Sequence, residues 1–90
     1  MYTLSMWRIE VTAEFETRFK NLPVLIQRKA EKQEILFRNN PFHTSLHTEK
    51  IEPKGKQVWT FRIDKSYRVA FKFLENTTVR FLTVGPHDWI

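Results

Sequence analysis

The sequence predicts an α+β domain: a curled, mainly antiparallel sheet with an N-terminal helical hairpin packed on one face. Three observations predict it. Residues 57–73, QVWTFRIDKSYRVAFKF, alternate apolar and polar with period two on both sides of Asp64, Lys65 and Ser66, which is the pattern of a half-buried β-hairpin. Upstream, apolar residues recur at helical spacing on both sides of Pro23. The chain has 90 residues, of which 14% are aromatic, so it can fill one core but not two. A single domain over residues 1–90 is the expected organisation.

In chain order, Trp7, Ile9 and Val11 alternate with Arg8 and Glu10 as a first strand, Met6 being a possible alternative start to Met1. Thr12 is placed to cap a helix whose first turn carries Glu14. Phe15, Phe19 and Leu22 lie on one face of that helix, which stops at Asn21-Leu22-Pro23. Pro23 opens a second helix with Leu25, Ile26, Ala30, Leu36 and Phe37 as its apolar stripe. Glu14 with Arg18, Glu16 with Lys20 and Glu34 with Arg38 are i,i+4 pairs on the outer faces, solvating rather than catalytic.

Asn39-Asn40-Pro41 ends the second helix, and a loop over residues 41–48 carries His43 and His47. Two histidines four apart share a helix face, but the proline disfavours a helix here and no third ligand lies nearby, so no metal is expected. A strand then starts at Glu49, followed by a basic turn at Pro53-Lys54-Gly55-Lys56. In the hairpin, Trp59, Phe61, Ile63, Tyr67, Val69, Phe71 and Phe73 point to the helices. Val58, Thr60, Arg62, Arg68, Ala70 and Lys72 must therefore share the opposite, open face. After a turn at Glu75-Asn76, residues 78–84 form a last strand with Val79, Phe81 and Thr83 on one side and Arg80 on the other. Gly85-Pro86 breaks it and leaves a short tail.

The net charge of +5 points toward polyanions, and its distribution says where. Residues 1–49 hold seven basic and six acidic residues, whereas residues 50–90 hold eight and four, so the excess follows the strands. Two arginines and a lysine on one stiff sheet face suit phosphate, although solvated outer-face residues are the ordinary explanation of such a pattern. Without cysteine, neither a disulfide nor a thiolate metal site can form, which fits a reducing compartment. No apolar run has the length of a membrane span, and a cytoplasmic protein is expected.

Asn-Pro-Phe-His at 40–43, Trp-Thr-Phe-Arg-Ile at 59–63, Tyr-Arg-Val-Ala-Phe at 67–71 and Gly-Pro-His-Asp at 85–88 occur in this order on these elements. Together they resemble the RelE/ParE superfamily of toxins from toxin–antitoxin pairs, and the resemblance runs through nearly all of the chain from Trp7. Within it the chain is most similar to the ribosome-dependent mRNA interferases of the RelE, YoeB and YafQ kind. That resemblance implies a metal-free endoribonuclease in which the 2′-hydroxyl of the message attacks the adjacent phosphate. It implies no cofactor, and as partners a cognate antitoxin, mRNA and the ribosome with its rRNA.

Residue by residue, the resemblance puts the glutamate base of YoeB-like toxins on Glu49 and their phosphate-binding arginines on Arg62 and Arg68. The C-terminal histidine acid matches His87, one place further along than that branch has it. His43, His47 and Lys50 are further candidates for base or phosphate contact, Lys72 shares the arginine face, and Lys50, Lys54, Lys56 and Lys65 fit rRNA contact as well as solubility. Trp89 either stacks on a base or caps the core. Many relatives end in an aromatic residue three or four places after the histidine, whereas here Trp89 stands two places after it. Two other functions share the fold and the charge. One is a ParE-like gyrase-inhibiting toxin without an acid–base set; the other is a basic RNA-binding module whose catalysis has decayed.

Overall fold

The structure is a computed structural model that describes residues 6–51 and 57–89, the side chain of Trp89 excepted. Its elements are β1 (Arg8–Val11), α1 (Ala13–Lys20), α2 (Val24–Asn39), a 3-10 turn (Thr44–Leu46), β2 (Glu49–Lys50), β3 (Trp59–Arg62), β4 (Tyr67–Phe73), β5 (Thr78–Pro86) and a second 3-10 turn (His87–Trp89). The five strands form one open, uncurled sheet in the order β1-β5-β4-β3-β2. All neighbours are antiparallel except β1 and β5, which run parallel because α1 and α2 carry the chain away from β1 before the sheet is completed. The basic turn read at Pro53-Lys54-Gly55-Lys56 lies outside the described residues.

Thr12 caps α1 as its residue type predicts: its Oγ1 accepts from the Phe15 N–H at 3.0 Å and donates to the Leu82 carbonyl of β5 at 2.7 Å. The other end of α1 is closed from α2, where the Gln27 amide donates to the Phe19, Lys20 and Leu22 carbonyls at 3.1, 3.3 and 3.0 Å. One side chain thus satisfies carbonyls that a helix terminus leaves open and fixes the angle of the helical hairpin. Ile26, Ala30 and Phe37 are the buried residues of α2. Leu25, expected in that stripe, is 69% exposed, because it sits about 100° around the helix from Ile26 and so faces solvent.

Phe37 is the centre of the core. Its ring lies 4.9 Å from Phe61, 5.0 Å from Phe71 and 5.4 Å from Phe81, one aromatic residue from each of β3, β4 and β5. Leu46, in the 3-10 turn, is fully buried in the same cluster and pins the loop that leads to Glu49. The β3–β4 turn is closed by Asp64, whose carboxylate accepts from the Ser66 and Tyr67 N–H groups at 2.8 and 3.0 Å and from Lys29 of α2 at 3.3 Å. Burial on its own would raise the Asp64 pKa, but these donors outweigh it and hold the carboxyl below the usual carboxylate range.

Two expectations for β5 are corrected. Ala70 pairs with Thr83 and Phe71 with Phe81, so Leu82 is an extra residue in a bulge. The bulge reverses the alternation: Thr83 turns to the face of Ala70, not to that of Phe81, and Val84 enters the core. Nor does Gly85-Pro86 end the strand, which continues with Gly85 opposite Arg68 and Pro86 opposite Tyr67. Because β1 pairs only with residues 78–81 of β5, Pro86 has no partner on that side and its missing N–H breaks no ladder bond. The second sheet face is also less open than its composition implies, since Thr60 and Ala70 on it are 2% and 4% exposed. Among the described residues no helix is long and apolar enough to cross a membrane.

Candidate functional site

The register of the sheet sets Arg62 of β3 directly opposite Arg68 of β4, and Arg68 opposite Gly85 of β5. Like charges on facing residues repel, and here the Nε atoms of both guanidiniums are buried without a hydrogen-bond partner. The Thr83 hydroxyl, on the same face, is buried without a partner too. Buried polar atoms without a partner are rare in folded proteins, so the two facing guanidiniums mark this row as a candidate anion site. Gly85 adds room, because the strand beside Arg68 places no side chain over it.

One carboxylate among the described residues reaches the pair. Glu49 of β2 faces Thr60 of β3, two residues before Arg62 and therefore on the same side of the sheet. Its Oε1 lies 3.7 Å from Arg68 Nη1. The two partners differ in exposure: the Arg68 side chain is 14% exposed and lies down on the sheet, while that of Glu49 is 55% exposed. A contact of this length and exposure is a weak pair that an incoming anion can open at small cost.

His87 leaves the end of β5 next to this row. Its N–H donates to the Ser66 carbonyl at 2.6 Å, which carries the β4–β5 ladder one step past the Pro86–Tyr67 pair. His87 itself opens the 3-10 turn, two residues after Gly85, and the depression that it borders contains neither arginine. The imidazole is half exposed, and its Nδ1 lies 3.2 Å from Asp88 Oδ1. It borders a depression of about 230 Å3 together with Lys65, Ser66 and Pro86.

The remaining candidates are dispersed. His43 Nδ1 accepts from the Ser45 N–H at 3.1 Å and so caps the 3-10 turn. His47 ends that turn in the left-handed region at φ 49° and, with Arg62 and Lys65, borders a second depression of about 250 Å3. Among the described residues no three His, Asp or Glu side chains converge as metal ligands. Lys50 lies over the Trp59 ring at 6.0 Å, on the sheet face opposite to Glu49. Lys72 shares the face of Arg68 but sits beside Arg80, whose guanidinium is paired with Glu10 at 3.0 Å. Lys54 and Lys56 lie outside the described residues, as does the side chain of Trp89. Gly85 and Thr83 escape a reading by residue type, since their place beside Arg68 and Ala70 follows only from the bulge at Leu82.

No protein-family model matches the sequence. An uncharacterized protein of Haemophilus influenzae is 37% identical over 43 residues, which are 48% of this chain and 42% of that protein, so the match spans less than half of the relative. Solved structures align over far more. The RelE–RelB complex of the archaeon Pyrococcus horikoshii matches with a TM-score of 0.74 at 17% identity, covering 90% of this chain and 94% of that one. The RelBE2 toxin–antitoxin complex of Mycobacterium tuberculosis matches with a TM-score of 0.76 at 16% identity, over 94% and 95%. YafQ of E. coli matches with a TM-score of 0.69 at 18% identity, over 92% and 96%. Two helices on one face of a mixed five-stranded sheet, in this order, give the chain the fold seen in these RelE and YafQ structures.

Proposed function

We propose that the chain is the toxin of a type II toxin–antitoxin pair and acts as a metal-independent endoribonuclease that cuts mRNA on the ribosome, in the cytoplasm. The observation that carries this is the Arg62–Arg68 row, with buried, unanswered Nε donors, flanked by Glu49 on one side and by the end of β5 bearing His87 on the other. The solved relatives with this fold include RelE with RelB and YafQ with DinJ, which supports a cognate antitoxin as partner.

In the proposed reaction the scissile phosphate displaces Glu49 from Arg68 and settles against the two guanidiniums. Glu49, now released, takes the proton of the 2′-hydroxyl as its oxygen attacks phosphorus. The guanidiniums stabilise the charge that builds on the phosphate oxygens. The P–O5′ bond breaks, and His87, oriented through Nδ1 by Asp88, gives a proton from Nε2 to the departing oxygen. The products are a 2′,3′-cyclic phosphate and a 5′-hydroxyl, with the proton balance closed by Glu49 gaining and His87 losing one.

The test is mRNA cleavage in a translating extract, with cut sites mapped by primer extension, for wild type, Arg68→Ala and His87→Ala. Wild type is expected to cut, and each variant to lose activity by on the order of 10²–10⁴-fold while keeping its circular-dichroism melting curve. Unchanged toxicity in all three proteins, accompanied by gyrase inhibition, would replace this function by the ParE-like one.

A further inference from the structure

We propose that Lys65, at the tip of the β3–β4 hairpin, is a positioning residue that holds the phosphodiester neighbouring the one being cut, so that the message crosses the hairpin tip. The inference rests on the ribonuclease function proposed above and assigns a residue which that chemistry does not require.

Two depressions open on either side of the turn, and Lys65 borders both. The one of about 230 Å3 contains His87 and Asp88, and the one of about 250 Å3 contains His47, Ser45, Arg62 and Asp64, so Lys65 and Arg62 supply the positive charge along them. Whole small ligands usually fill roughly 300–1,000 Å3, so each depression suits a piece of a longer molecule better than a complete one. A chain lying in both at once must pass Lys65. Arg62 belongs to both the arginine row and the second depression, which makes the path continuous with the proposed site of cleavage.

The charge at the tip is free to act. Lys65 is exposed and makes no ion pair among the described residues. Its neighbour Asp64 does not neutralise it, because that carboxylate is taken up by Lys29 and by the Ser66 and Tyr67 N–H groups. These same bonds fix the turn, so the lysine is presented from a rigid base. On the other side of the arginine row Lys72 sits beside Arg80, which is already paired with Glu10, whereas Lys65 stands between the two depressions. A lysine holds phosphate as a point charge, which positions a strand without reading its bases.

The experiment compares wild type, Lys65→Ala and Lys65→Arg in two measurements. One is steady-state cleavage of a labelled mRNA on programmed ribosomes; the other is the anisotropy of a short fluorescein-labelled single-stranded RNA across a KCl titration. Lys65→Ala should raise KM about fivefold, on the scale of one exposed charge contact, and leave kcat within about twofold. Its log Kd against log salt slope should fall by about 0.7, the value of one lost phosphate contact to a single strand. Lys65→Arg should restore both. A Lys65→Ala protein with wild-type KM and salt slope overturns the inference, as does one whose only change is a lower melting temperature. Wild type that cuts no mRNA overturns the ribonuclease function itself, a result separate from either.

Discussion

Thr83 shows how a single residue records the history of its strand. Its hydroxyl is buried with no partner on a face it reaches only because Leu82 is an extra residue in β5. A buried hydroxyl without a hydrogen bond costs stability that an isosteric methyl would not. Thr83→Val should therefore raise the unfolding free energy by about 1 kcal/mol in urea. Equal or lower stability of the variant would mean that the hydroxyl is satisfied in solution. Glu49, Arg62, Arg68 and His87 differ at this scale: resemblance to a motif singles each of them out, but whether they lie near each other depends on pairing that no single residue displays.

At the scale of elements, the hairpin of β3 and β4 is the part that the alternation of its residues describes best. Its turn, its inward aromatic residues and its arginine row all follow from period two and the Asp64-Lys65-Ser66 sequence. The end of β5 was not legible in the same way. Gly-Pro normally stops a strand, and only the short reach of β1 lets β5 run on to Pro86 and put Gly85 beside Arg68. Leu25 was misplaced for a related reason: it lies at the edge of the apolar stripe, and the sequence does not say whether a residue there turns to solvent, as Leu25 does, or packs on the core, as Leu36 does beside Phe37.

The turn also carries the clearest pH dependence. Asp64 is more acidic in the folded state than when unfolded, so its contribution is full above the ordinary carboxylate value of ~3.9. It is lost as the pH falls through the lower folded value. Asp64→Asn should melt below wild type at pH 7, and the gap between the two melting temperatures should close as the pH drops below about 4. A gap that stays constant across that range would show that the charge of Asp64 contributes nothing to the hairpin.

For the whole molecule, the division of labour is by face. The helices and the 3-10 turn cover one side of the sheet around Phe37, which leaves the other side to hold cations that a core could not accept. The layer order and the basic excess of the strands were visible in the sequence because both follow from periodicity and residue counts. The parallel β1–β5 pair was not, since it depends on where the helical hairpin returns the chain. The central claim is that these two faces together make a ribonuclease that uses the 2′-hydroxyl of its own substrate. The chemistry of the cut ends tests it most directly. Message cut by the wild-type protein should carry a 5′-hydroxyl that polynucleotide kinase labels without prior phosphatase treatment, and a 2′,3′-cyclic phosphate on the other fragment. Ends bearing a 5′-phosphate would contradict it, because they require water, not the message, to have attacked the phosphorus.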